Sequence, residues 1–237
     1  MDLERDGVRI HYEVAGSGPA ILLSHGFGAS SHMFGPNVAA LGTDHTVITW
    51  DERGHGASDS PVDPDAYSPE AAVADMAAIL DAAGADRAVV GGHSLGGYLS
   101  LAFHRAHPDR VAALVLIDTG PGYRSDEGRE KWNRMAEGLA ADLDERGLTG
   151  RALAARHVLT QADARVLDGL PTIAVPVLIV VGERDKPFLK GSRYMAEKIP
   201  GARLVVIPGA GHDPNVTHTA QFDTHVRTFL DRLEASR

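Results

Sequence analysis

Ala88-Val89-Val90-Gly91-Gly92-His93-Ser94-Leu95-Gly96-Gly97-Tyr98 is the stretch on which the reading of this chain turns. Its apolar beginning has the composition of a strand covered on both faces. The residues after Ser94 read as a helix. A serine with a glycine two places before it and another two places after it, set between a strand and a helix, has the G-x-S-x-G spacing of a nucleophile elbow. Such a turn is too sharp for side chains at those two places, which accounts for Gly92 and Gly96. The serine is expected in a strained backbone conformation costing roughly 1–3 kcal/mol. Its hydroxyl would then project from the sheet edge, where the first N–H groups of the helix also point. The same residues would fit an ordinary glycine-rich turn opening a helix, so the surroundings have to decide.

Those surroundings alternate. Residues 8–14 switch between apolar and polar, as a half-exposed strand does. Residues 20–23, 46–50, 87–90, 111–117, 177–181 and 202–207 are mostly continuous apolar runs, the pattern of parallel strands under helices. Helices fall between them. One starts at Ser68-Pro69-Glu70 with an N-cap, a first-turn proline and an acid at the positive helix end. Another follows Ser94, a third begins near Leu189, and the last runs from about Thr219 to Leu233 with Phe222, Val226, Phe229 and Leu230 on one face. The fold class predicted is α/β, a mostly parallel central sheet flanked by helices. Between Gly120 and Val175 the rhythm stops. Residues 126–147 read as a helix with Trp132, Met135, Leu139 and Leu143 in a stripe, followed by shorter helical pieces at 153–159 and 164–170. The expected organisation is a core of residues 1–120 and 171–237 with a helical cap inserted at 121–170.

The 237 residues suit one domain with a full core, and 43% hydrophobic with 23% charged content is ordinary for a globular protein. No apolar run approaches the ~18 residues of a membrane span. The start, Met1-Asp2-Leu3-Glu4-Arg5-Asp6, is charged and lacks an apolar signal core. Absent cysteine excludes thiol nucleophiles and disulfides. A cytoplasmic location is the expectation. A net charge of −9 without any basic run argues against a nucleic-acid partner. Twelve histidines raise the question of metal, but none shows an H-E-x-x-H or similar ligand spacing. No metal or organic cofactor is expected.

A serine nucleophile needs a base, and the base needs a group to orient it. Histidine suits the first role because it titrates near neutral pH. Two loops past the elbow qualify. The run 177–181 leads into Gly182-Glu183-Arg184-Asp185, and 205–207 into Pro208-Gly209-Ala210-Gly211-His212. Both follow predicted strand ends, the edge where ligands bind in open α/β sheets. Glu183 and Asp118, the latter at the end of 111–117, are rivals to Asp185 for the acid. A turn or helix cap is the plainer role for Asp118, and a turn for Asp213. His25, His55 and His93 fit local hydrogen-bonding roles. Trp132, Met135 and Leu139 could line a pocket, although an apolar helical stripe more often packs onto the layer below.

Across its length the chain resembles the α/β-hydrolase fold superfamily. The matching pieces are His25-Gly26-Phe27-Gly28, Asp51-Glu52-Arg53-Gly54-His55-Gly56-Ala57-Ser58, the elbow, Gly182-Glu183-Arg184-Asp185 and Gly209-Ala210-Gly211-His212, in that order. The resemblance implies Ser94 as nucleophile, His212 as base and Asp185 as acid, with oxyanion donors on the amides of Leu95 and Phe27. Related dehalogenases and epoxide hydrolases carry aspartate at the nucleophile position. Serine here points to acyl transfer. The function implied is that of a serine hydrolase cleaving a small carboxylic ester or lactone. The alternatives are carbon–carbon bond hydrolysis or perhydrolysis on the same triad, and a lactone-binding sensor with little turnover. Physiological substrate and oligomeric state stay open.

Overall fold

The computed structural model describes residues 1–235. Their strands are β1 (Asp2–Arg5), β2 (Val8–Gly16), β3 (Ala20–Ser24), β4 (Thr46–Trp50), β5 (Ala88–His93), β6 (Val111–Ile117), β7 (Val177–Gly182) and β8 (Arg203–Ile207). They form one eight-stranded sheet in the order β1-β2-β4-β3-β5-β6-β7-β8. From β4 to β8 neighbours run parallel, while β1 and β2 join antiparallel at one side. The predicted α/β class with a mostly parallel sheet is what the chain adopts.

β1 was not legible. Only Leu3 among its four residues is apolar, and the strand alternates exposed and half-buried positions as an edge strand does. Helix α1 (Gly35–Leu41) was missed as well. Its Gly35-Pro36 start resembles a turn, yet proline is tolerated in a first helical turn because the missing N–H has no partner there.

The buried faces of the sheet carry two helical layers. α2 (Pro69–Ala82), α3 (Leu95–Ala106) and α7 (Lys186–Lys198) cover one, burying Met76, Ile79, Leu80, Leu99, Phe103 and Met195 against Leu22, Val90, Leu114 and Ile179. α1 and α9 (Thr219–Ala235), the latter preceded by the short α8 (Pro214–Thr217), cover the other, with Phe222, Val226 and Leu230 against Ile21, Val89, Val115 and Val180. α2 begins as its sequence predicts, with the Ser68 hydroxyl accepting the Ala71 N–H at 2.9 Å. α7 starts at Lys186, three residues earlier than its apolar pattern suggests, because Pro187 opens rather than blocks it. Among the described residues no helix is long and apolar enough to cross a membrane.

Between β6 and β7 the chain forms α4 (Asp126–Glu145), α5 (Thr149–Ala154) continuing into a π-helical turn (Ala155–Leu159), and the short α6 (Arg165–Asp168). Ala140, Leu143, Ala152 and Ala155 make a small apolar cluster between α4 and the α5 segment. Phe27 and Leu139 pack against that cluster, which ties the inserted helices to the loop after β3.

A buried ion cluster pins the loop after β4. Asp75 on α2 is fully buried and accepts from Arg53 Nε at 2.7 Å, Arg53 Nη2 at 2.9 Å and Arg5 Nε at 2.5 Å. Arg53 also donates to the Ala66 carbonyl at 3.0 Å and to the Arg5 carbonyl at 3.5 Å. Removing the carboxylate would leave the 6%-exposed Arg53 guanidinium with only the exposed Asp6 carboxylate, 4.0 Å away, as counter-charge. Asp75→Ala is therefore expected to cost about 3–5 kcal/mol of folding free energy, read by chemical denaturation at neutral pH. A loss below ~1 kcal/mol would show that Arg53 re-pairs elsewhere.

Candidate active site

Register brings the candidate residues to one edge. Ser24, Gly92, Leu116 and Ile179 lie side by side across β3, β5, β6 and β7. Val180 then pairs with Val205 of β8. All these strands end on the same side, so the loops holding His25, Ser94, Asp118, Asp185 and His212 converge there.

Ser94 occupies the turn between β5 and α3 with φ 51° and ψ −113°. A positive φ is rare for a residue with a Cβ and stores on the order of 1–3 kcal/mol. The turn is held from both sides: the Ser94 N–H donates to the Ile117 carbonyl at 2.9 Å, and Thr119 Oγ1 donates to the Ser94 carbonyl at 2.6 Å. The glycines are needed because the backbone is crowded. A Cβ on Gly96 would collide with the Ser24 carbonyl oxygen, and one on Gly92 with the Gly96 carbonyl. Leu95 is the first residue of α3, so its N–H lies in the turn where a helix offers no internal partner.

His212 and Asp185 meet across two loops. His212 Nδ1 is 2.6 Å from Asp185 Oδ2. The Asp185 side chain is buried, 5% exposed, whereas that of His212 is 39% exposed and open to a reacting partner. Phe188, three residues after Asp185 on α7, lays its ring 4.9 Å from the imidazole at 30°. On the other side His93 approaches at 4.6 Å, edge to face, and its Nε2 lies 2.7 Å from the His212 carbonyl oxygen. The carbonyl can only accept, so Nε2 carries the proton and donates. Burial, with His212 adding to it, holds the His93 imidazole down to about 4, so it stays neutral. A hydrogen-bonding role was expected of His93, though not this distant partner, and Phe188 was not singled out. The signal for Phe188 was its one-turn spacing from Asp185 on a helix.

The loop after β3 lies against the elbow. A Cβ on Gly26 would strike His93 Nδ1 and come within 3.4 Å of the Ser94 Cβ. The next residue, Phe27, is half-buried with its ring 5.3 Å from His55, edge on. Two neutral histidines brace this loop from below. His25 Nδ1 donates to the Gly26 carbonyl at 2.8 Å and its Nε2 accepts the Glu52 N–H at 3.0 Å. His55 Nδ1 donates to the Arg53 carbonyl at 3.1 Å and its Nε2 accepts the Gly28 N–H at 3.1 Å. Burial lowers both imidazoles, His55 to about 3, and each ring serves as one donor and one acceptor.

Glu52 sits in the same brace, fully enclosed, with Oε1 lacking a hydrogen bond. Burial, then the charges of Asp75 and Asp51, push its carboxyl up to about 8. The folded protein thus holds a proton that the unfolded chain releases above its ordinary value of 4.5. The folded value is raised, so the stability linked to Glu52 is complete below pH 4.5 and is lost as pH rises toward 8. Glu52→Gln keeps the shape and cannot ionise. It is expected to stabilise the fold by about 3 kcal/mol at pH 7 and to flatten the fall in melting temperature between about pH 5 and pH 8. An unchanged or steeper fall would rule this out.

The inserted helix α4 distributes its stripe unevenly. Trp132 donates its indole N–H to the Leu159 carbonyl at 2.7 Å, within the insertion. Leu139 shares an apolar cluster with Phe27. Met135 is 48% exposed at the surface. A separate groove of about 360 Å³ runs between α2, α3 and α6, lined by Val73, Tyr98, Ala102, His157 and Val166 among others. Ser94 and His212 are not among its lining residues.

The comparisons with known proteins bear on the family and the fold. The sequence model of the family described as alpha/beta hydrolase fold matches residues 19–149. A putative 2-succinyl-6-hydroxy-2,4-cyclohexadiene-1-carboxylate synthase of Bacillus subtilis is 29% identical over 96% of this chain and 97% of its own. Among solved structures, a thermophilic esterase from Thermogutta terrifontis superposes with a TM-score of 0.83 at 28% identity, covering 98% of this chain and 97% of that one. The enol-lactonase from Burkholderia xenovorans LB400 gives 0.81 at 28% identity, over 98% and 100% respectively.

Proposed function

The chain belongs to the alpha/beta hydrolase fold family, and from that premise we propose that it cleaves a small carboxylic ester or lactone through an acyl-enzyme. The observation that carries the reading is the 2.6 Å pairing of His212 Nδ1 with buried Asp185 at the sheet edge that also carries the strained Ser94. Ser94 attacks the carbonyl and His212 Nε2 takes its proton. Asp185 orients the ring and stabilises the imidazolium. The amides of Leu95 and Phe27 hold the oxyanion, each contributing roughly 2.7–4 kcal/mol to barrier lowering. His212 returns the proton to the leaving alcohol, then activates the water that releases the acid.

Serine rather than aspartate at the elbow supports acyl transfer. The choice of ester or lactone is supported by the esterase and the enol-lactonase named above, each aligned over nearly the whole of this chain. Residues 121–170 are read as a cap over the site, with Leu139 and Phe27 as one point of contact. The test is turnover of p-nitrophenyl acetate and p-nitrophenyl butyrate, with a panel of simple lactones alongside. Sustained multiple turnovers on either class support the proposal. A single slow burst accompanied by a rise in melting temperature would replace it with a binding role.

A further inference from the structure

One acid orients His212 in the mechanism above, yet a second stands directly behind it. Asp118, the first residue past β6, is fully buried and takes a left-handed backbone with φ 41°. Its own N–H donates to the Val180 carbonyl at 2.9 Å, extending the parallel ladder by one residue. Its Oδ1 accepts the Gly182 N–H at 3.0 Å, and its Oδ2 meets no donor. A carboxyl oxygen of Asp118, one of Asp185 and a ring nitrogen of His212 all lie within 4.8 Å of one another. Asp185 is itself buried and already committed through Oδ2 to His212. Two ionised carboxylates in such contact, away from water, repel strongly unless one keeps its proton. The surroundings offer Asp118 Oδ2 no other donor, so the proton that relieves the contact has to be its own.

We infer that Asp118 is a positioning residue that stays protonated and donates its proton to Asp185, so that the acid behind His212 is a carboxyl–carboxylate pair. The inference rests on the reading of Ser94, Asp185 and His212 as the catalytic triad. The pair carries one negative charge, and the donated hydrogen bond fixes the Asp185 carboxylate while its other oxygen faces the imidazole. Burial is the main reason the Asp118 carboxyl is pushed up to about 9. The Gly182 N–H works against the rise, and the hydrogen bond to Asp185 and the charges of Asp185 and Asp213 reinforce it. The titratable groups around it are Asp185 after β7, His212 and Asp213 after β8, and His93 on β5. His93 stays neutral throughout the range of interest. Ionisation of Asp118 at alkaline pH would put a second negative charge beside Asp185, push that carboxylate off its hydrogen bond and release His212 from its orientation.

The experiment measures two rates from about pH 6 to about pH 10: labelling of Ser94 by a fluorophosphonate probe, located by peptide mass, and turnover of p-nitrophenyl acetate. Wild type, Asp118→Ala and Asp118→Asn are compared. Wild type should lose activity above about pH 9. Asp118→Ala, with no donor, should be roughly 10- to 100-fold slower at neutral pH, the range expected for one hydrogen bond to a charged group. Asp118→Asn can donate from Nδ2 and accept from Gly182, so it should recover most of that loss and lack the alkaline fall. The inference is overturned if wild type stays flat to pH 10, if the Asn variant is as slow as the Ala variant, or if it keeps the alkaline fall. Absence of any label on wild-type Ser94 would instead overturn the triad reading, and this inference with it. A measurement on wild type alone guards against a misfolded variant. Isotope-edited infrared spectra with carboxyl-labelled aspartate should show a buried protonated carboxyl at pH 7 that vanishes above pH 9, and its absence at pH 7 refutes the inference.

Discussion

Ser94→Ala is expected to lower kcat on p-nitrophenyl acetate by about 10⁴- to 10⁶-fold. The loss is that large because the proposed triad would act as one unit, so removing the nucleophile would also idle the base and its acid. Folding should survive. Alanine keeps the Cβ of serine, the hydroxyl accepts no α3 capping hydrogen bond, and the bonds that hold the turn are made by the Ser94 N–H and carbonyl. Circular dichroism and melting temperature should therefore match wild type while turnover collapses to the residue left by the oxyanion donors. Turnover within tenfold of wild type would end the acyl-enzyme proposal.

Asp185→Asn should reduce kcat by about 10³- to 10⁴-fold. In the proposed mechanism the carboxylate at position 185 makes His212 Nδ1 carry the proton, which leaves Nε2 free to accept one from Ser94. An asparagine can turn its amide N–H toward Nδ1 and favour the opposite tautomer, with the proton on Nε2 and no base facing the serine. KM should change little, since Asp185 is buried and pairs with His212 Nδ1, the ring nitrogen opposite the proposed base atom. The same substitution at position 118 is expected to be mild. Two aspartates in one cluster thus make opposite predictions for one chemical change. A loss at Asp185→Asn no greater than at Asp118→Asn would mean that the two acids had been assigned the wrong way round.

Most of the scaffold is legible in the sequence. β3 to β8 are short apolar runs, and runs of that kind admit few structures other than buried parallel strands. α2 announces itself by Ser68, Pro69 and Glu70, each placed for a local reason. What escaped was structure stabilised by neighbours. β1 has one apolar side chain and exists because β2 pairs with it. α1 begins with Gly35-Pro36 and is held by packing against α9 and β4. The expected helix 153–159 is in fact the end of α5 running into a π turn, a backbone adjustment made where Ala155 packs against α4.

The site divides in the same way. The elbow was legible because its glycines answer to a local clash: the backbones of Ser24, Gly92 and Gly96 crowd together whenever a strand turns so abruptly into a helix. The chain order Ser94, Asp185, His212 was legible too, since each follows a strand end. The partnership between His93 and the His212 carbonyl was not, for the two lie 119 positions apart and meet only through sheet register. Nor was the state of Asp118, which in sequence is one acid after an apolar strand and weighs the same as Glu183.

Sequence alone determined the α/β class, the position of the strained serine and the list of residues able to accept or deliver a proton, because those follow from side-chain size, periodicity and chemical type within a few neighbours. Tertiary structure alone decided which acid touches the imidazole, which stands behind it and which histidines stay neutral. Protonation and hydrogen bonding depend on how much water is excluded and which charge lies within a few ångströms, and both are set only when distant segments close around the same point.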